Sequence, residues 1–298
     1  MKNILEQAMN KVNVVGKLLE AAVFDGTLKD GRKYLRANLT IKVTQTYGGR
    51  EEVSEIPVSM FAAQYTNDGR PNPGYSQIQD LTNMKSAQTV GYDNADVVRI
   101  SGANLRENNF VSKSGQLIDG WQINTSFINL GKGDGVASFA ADIFIMDMRR
   151  ETDRDGDETG RLIIKGGLVQ YGGRLDVVEF VVENPEAVDF VERNWNINDT
   201  VGVKGRIRVS SREEKASGAS SSWGEDVPDM TTRTIRELVI TTGNDEGKEE
   251  EFAYDRDDIK KAFNVRKANI EQLQIDAKNA SAKKPAAPAA TASKYSWE

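Results

Sequence analysis

On the outward sides of three strand-like segments near the amino terminus, cations and aromatic rings recur among small polar residues. In "KYLRANLTIKV" (33–43), Leu35, Ala37, Leu39, Ile41 and Val43 share one face, while Tyr34, Arg36, Asn38, Thr40 and Lys42 share the other, because successive strand residues point to opposite sides. In "EIPVSMFA" (55–62) the inward set Ile56, Val58, Met60 and Ala62 leaves Phe61 outside with Pro57 and Ser59. In "NKVNVVGKLL" (10–19) Val12, Val14, Gly16 and Leu18 go inward, and Lys11, Asn13 and Lys17 go with the polar set. Lys11, Lys17, Tyr34, Arg36, Lys42 and Phe61 can thus share one surface. Cations neutralise phosphates and rings stack on bases, each stack worth roughly 1–3 kcal/mol, so this pattern suits a single strand of nucleic acid. The plainer reading is a solvated sheet face with one stray ring.

What the chain lacks narrows the chemistry further. It has no cysteine and no histidine. That removes disulfides, thiolate nucleophiles, Ser-His-Asp triads and the common zinc sites, each of which needs a thiolate or an imidazole. A non-enzyme without a cofactor is the expected class. No apolar run approaches the roughly 18 residues of a membrane span, and "MKNILEQAMNK" is too polar for a secretory signal, so a cytoplasmic location without membrane contact is expected. The net charge of −6 over 298 residues is unevenly spread. Lys plus Arg against Asp plus Glu is 15 to 13 for residues 1–133, 14 to 21 for 134–243 and 10 to 11 for 244–298. Only the first segment is positive.

The elements that must hold these residues come as a repeat. Strand-like runs fall at about 12–22, 33–45, 52–62, 96–105 and 119–130, with a short helix, "YSQIQDLTNM" (75–84), between the third and fourth. The second segment repeats this order with runs at about 139–149, 160–171, 174–183, 200–209 and 232–241, and the helix "PEAVDFVERNW" (185–195), whose Pro185 marks a helix start. "DVVRISG" (96–102) and "DTVGVKG" (199–205) share Asp-x-Val-x-aliphatic-x-Gly just after the helix, which points to duplication. Three strands, a helix and two strands is the order of the OB-fold, a small, partly open barrel. The expected fold is therefore mainly all-β: two tandem OB-fold barrels, residues 1–133 and 134–243, followed by a partly helical tail, 244–298. Gly16, Gly102 and Gly205 are expected where the strands bend.

The second barrel offers its own candidates. In "TVGVKGRIRV" (200–209) Lys204, Arg206 and Arg208 align outward as a phosphate track. Arg99, Trp121, Lys165 and Tyr171 complete the nucleic-acid-binding set, together with Trp223 in the long polar loop 212–229. "DRDGDE" (153–158) has the acid spacing of part of a calcium loop but lacks its full ligand series; a turn is expected there, and no metal.

Three stretches carry a family resemblance. "NKVNVVGKL" (10–18) resembles the opening strand of the bacterial and phage single-stranded-DNA-binding protein family. "NDTVGVKGRIRV" (198–209) is similar to that family's fourth strand, and "IPVSMFAAQ" (56–64) to its third, where a base-stacking tryptophan occupies the place of Phe61. The resemblance implies an OB-fold protein that wraps and protects single-stranded DNA and recruits replication or recombination proteins through its tail. Two barrels in one chain depart from the one-domain, tetrameric pattern and imply a monomer or homodimer. The end, "KYSWE", departs from the acidic Pro-Phe terminus and leaves Tyr295 and Trp297 as aromatic partner-binding candidates. Upstream, Ile259, Phe263, Ile270 and Leu273 fall near one face of a helix over 255–280; Phe263 there either docks a partner or folds back onto a barrel. The expected function is non-catalytic binding of single-stranded DNA in phage replication or recombination. The rival readings are an OB-fold assembly protein of a virion and a carboxylate-metal nuclease.

Overall fold

A computed structural model describes residues 5, 6, 9–112, 114–133, 135–153, 155–215 and 230–282. The alternating runs become long strands. β1 (Asn10–Thr27), β2 (Lys33–Tyr47) and β3 (Arg50–Ala63) form an antiparallel meander; α1 (Pro73–Asp80), α2 (Ala87–Val90) and β4 (Val97–Glu107) follow. A small hairpin of β5 (Phe110–Val111) and β6 (Leu117–Ile118) leads to β7 (Trp121–Thr125) and β8 (Asn129–Leu130). The run 119–130, expected as one strand, is broken where the Thr125 hydroxyl donates to the Phe127 carbonyl at 2.9 Å. The second half contains β9 (Val136–Thr152), β10 (Glu158–Val169), β11 (Leu175–Val182), α3 (Pro185–Asn194), β12 (Thr200–Lys215) and β13 (Met230–Gly243). Last comes α4 (Arg256–Ala282).

Strand pairing defines the architecture. β1 pairs with β2, β2 with β3, β3 with β7 in parallel, β7 with β4, and β4 with β1, which closes a five-stranded barrel. β9, β10, β11, β13 and β12 close a second ring in the same order, again with a parallel third-to-fifth contact. These are two tandem OB-fold barrels. Asn10–Val15 of β1 also pair with Val136–Ala141 of β9, so one sheet passes from barrel to barrel. Each barrel has a helix with the same start: Asn72 and Asn184 accept backbone N–H groups with their side-chain oxygens, and a proline follows each. Ile78 of α1, and Val188 and Val191 of α3, then bury themselves in the core.

The glycines do two different jobs. At Gly16, β1 passes from pairing with β9, which ends at Val15, to pairing with β2, which begins at Lys17, and an added Cβ would stand 2.3 Å from the Lys42 carbonyl oxygen. Gly205 meets the Val239 carbonyl oxygen in the same way, at 2.0 Å. Gly102 instead has φ +70° with open space around it, at a register break in β4 that a side chain would strain. Gly16→Ala is expected to lower unfolding stability by about 1–3 kcal/mol, the usual range for forced overpacking. Urea denaturation checks this; an unchanged midpoint would mean that β1 does not approach β2 so closely.

Further contacts lock the barrels together. Asn10 donates to the Leu105 carbonyl at 2.8 Å and accepts from its N–H at 3.0 Å, and Gln170 of the second barrel donates to the same carbonyl at 2.9 Å. The β2–β3 hairpin reaches over β12, where Ser54 accepts the Val209 N–H at 3.1 Å. α4 folds back as well: Ile259, Ala262 and Phe263 pack on Phe144, Val169, Leu175 and Val177 of the second barrel. Arg266 then reaches Glu107 of the first barrel at 2.8 Å. In the 153–158 segment Asp153 accepts the N–H groups of Asp155 and Asp157, a turn closing β9 and β10.

Candidate nucleic-acid interface

The first barrel's outer face carries the groove. Across β2 and β3 the register sets Arg36 opposite Phe61, Asn38 opposite Ser59 and Thr40 opposite Pro57. Alternation turns all six away from the core. The same face of β1 brings Phe24 opposite Arg36, whose guanidinium lies 5.6 Å from that ring centre. Tyr34 and Phe61 rings stand 5.2 Å apart. β7 and β4 continue the wall with Gln122, Asn124, Asn104 and Arg106, and β13 of the second barrel closes the end with Arg236. The groove holds about 1120 Å³.

Its electrostatics are one-sided. Arg36, Arg106 and Arg236 line it, and among the described lining residues there is no Asp or Glu, although the whole chain has net charge −6. Burial pulls the pKa of Arg106 down, and the nearby Arg174 adds to this, while Asp176, 3.8 Å away, opposes it. Burial alone pulls Arg236 down. Its guanidinium lies 4.5 Å from the Trp121 ring centre and donates to the Trp121 carbonyl at 2.9 Å. Two partly desolvated cations thus lie along the groove. Phe61 and Phe127, 54% and 51% exposed, present open ring faces at the rim.

The sequence candidates divide into groups. Tyr34, Arg36 and Phe61 stand together at the groove. Lys42 is the next outward residue of β2 beyond Thr40, but it gathers with Lys17 around Tyr92, at 4.7 and 4.6 Å from the ring centre, and Lys17 also donates to the Tyr92 and Asp93 carbonyls. Lys11 lies by the seam, with Ala140 between it and Lys204. Arg99 is exposed on β4 opposite Asn129. The six residues expected on one surface therefore occupy three places, because β1 changes partners at Gly16.

Other candidates are corrected. Trp121 points inward with Ile123 and is 6% exposed, so its ring cannot stack on a base from outside. Arg206 is 5% exposed and is ion-paired with Glu52 and Glu183, with the Tyr47 ring centre 4.5 Å away. Arg208 pairs with Glu183 at 3.0 Å and with Glu237. The expected phosphate track on β12 is thus a neutralised network that fastens the barrels together; only Lys204 of that row is exposed. Lys165 is exposed on β10 between Asp147 and Glu179, and Tyr171 is exposed in a turn away from the groove lining. Phe263, offered as a partner hook, is half-buried on the second barrel. Trp223, Tyr295 and Trp297 lie outside the described residues.

Arg106, Arg236, Phe24 and Phe127 were not singled out from sequence. Strict alternation from Val98 and Ile100 along "VVRISGANLRE" would put Arg106 inside; the register break at Gly102 turns it outward, and nothing local links Arg236 to a groove in the other barrel.

Comparison with known proteins adds the following. The family model described as YorF matches residues 8–276. No curated protein matches the sequence. Among solved structures, the wild-type single-stranded DNA binding protein from Thermus aquaticus is 14% identical, with 84% of this chain and 98% of that chain covered and a TM-score of 0.49. A deletion mutant of the same protein is 15% identical, covers 84% of this chain and 99% of that chain, and has a TM-score of 0.48. A small single-stranded DNA-binding protein from Streptomyces coelicolor is 13% identical, covers 41% of this chain and 94% of that chain, and has a TM-score of 0.27.

Proposed function

The chain belongs to the YorF family, and we propose that it binds single-stranded DNA, without catalysis, in the groove of its first barrel. One observation carries this reading: a concave, ring-edged face with three arginines and no acid among its described lining residues, in a chain whose net charge is negative. Phosphates displace counterions at Arg36, Arg106 and Arg236, while bases stack on Phe61 and Phe127. A duplex would have to unpair before its bases could reach those rings. Protection of transient single strands in phage replication or recombination is the role proposed from the strand-motif resemblance, with replication or recombination proteins as tail partners.

The rings supply the test. Phe61→Ala and Phe127→Ala are each expected to weaken oligo(dT) binding about tenfold, within the roughly 1–3 kcal/mol of a base stack. Tryptophan fluorescence titration at two salt concentrations measures it. An assembly protein of a virion would show no salt-dependent affinity in the same titration, and unchanged binding in both variants would reject the groove as the site.

A further inference from the structure

Five side-chain amides line the groove, those of Asn38, Asn104, Asn108, Gln122 and Asn124, and none is hydrogen-bonded to another described residue. They outnumber the two exposed rings at its rim. Stacking and phosphate contacts are tolerant of base identity, whereas amides and guanidinia aimed at a base edge are not. The floor between β4 and β7 concentrates this capacity. Asn124 Oδ1 and the Nε atoms of Arg106 and Arg236 are withdrawn from water without a hydrogen-bond partner among the described residues, Arg106 Nε having only the Asp176 carboxylate at 3.8 Å. The register pairs Asn104 with Asn124 and Arg106 with Gln122, so Asn124 and Arg106 are diagonal neighbours on the outer face. Such neighbours stand about 7–8 Å apart, within reach of long side chains. Because these atoms are withdrawn from water, a base edge reaches them only when a covering side chain moves.

Building on the groove as a single-strand site, we propose that this floor reads the edge of one base and favours those with a ring carbonyl beside a ring N–H, thymine and guanine, over cytosine and adenine. The Arg106 guanidinium donates to the carbonyl, and Asn124 Oδ1 accepts from the ring N–H. Cytosine and adenine present a lone pair at that ring nitrogen, so with Asn124 Oδ1 turned to the base two acceptors would face each other. Thymine and cytosine are of similar size, which makes them the cleanest comparison.

Fluorescence anisotropy with dT and dC oligomers of equal length tests this. The dT strand is expected to bind at least about fivefold tighter, the lower end of what a specific base contact delivers. Asn124→Ala should narrow the ratio by weakening dT alone. A strand of N3-methylthymidine, which lacks the ring N–H, should bind the unaltered protein as weakly as dC, independently of whether the variant folds. If dC binds within about twofold of dT, or the methylated strand binds like unmodified dT, the edge-reading proposal is wrong while the groove stands. Binding of neither strand would overturn the groove and this inference together.

Discussion

Replacing Arg36, Arg106 and Arg236 together by glutamine is expected to weaken single-stranded DNA binding roughly a hundredfold near 0.1 M salt. The magnitude follows from counterion release: for single strands, log K falls with log salt at a slope of about −0.7 per phosphate contact. Three lost contacts therefore flatten the slope by about 2, and over the decade between 0.1 and 1 M salt that amounts to about two log units. Glutamine keeps a polar side chain in each place, so Arg236→Gln can still offer a donor to the Trp121 carbonyl. Lys204→Gln, which removes an exposed cation outside the groove lining, should leave the slope nearly unchanged. Titration of both proteins over a salt series distinguishes a local track from general attraction. Equal slopes in the two would place the phosphates elsewhere.

Arg206→Ala is expected to have the largest effect on stability, about 3–5 kcal/mol, the range for removing one partner from a buried ion pair. The side chain bridges Glu52 of the first barrel and Glu183 of the second; its loss strands the Glu52 carboxylate in the seam, whereas Glu183 keeps Arg208 at 3.0 Å. Urea denaturation reads the loss, and Glu52→Gln in the same chain should recover part of it by removing the stranded charge. The neighbouring Glu237 ties this network to pH. Burial works against its ionised form, yet hydrogen bonds and charge from Arg161 and Arg208 hold its pKa below the ordinary 4.5. A depressed carboxyl pKa stabilises the fold above the unfolded value and loses that contribution as pH falls through the folded one. The urea midpoint should therefore drop on acidification below about pH 4.5, and less so in Glu237→Gln.

Much of the fold was legible because its information is local. Alternation along 33–43 and 55–62 assigned the two faces of β2 and β3, and the helix at 185–195 was bounded by Asn184 and Pro185. The equivalent Asn72 and Pro73 start α1 by the same cap. What was not legible depends on pairings between distant segments. The parallel contact of β3 with β7 brings Asn124 beside β2 and β3, and β13 delivers Arg236 from the other barrel. No period in the sequence records either. The row Lys204, Arg206 and Arg208 suggests a free phosphate track, yet Arg206 is buried and ion-paired, and a charge pattern does not show Glu52, 154 residues away. Trp121 shares parity with the buried Ile123, and that alternation alone places it inside.

Hydrogen exchange with and without saturating oligo(dT) tests the central claim most directly, because it locates the strand without altering the protein. Slowed exchange should map to Arg36–Thr40, Pro57–Phe61, Ser101–Asn108 and Gln122–Phe127, with β12 unaffected. Protection centred on β12 or on the turn at Tyr171, with those four segments unchanged, would contradict the account.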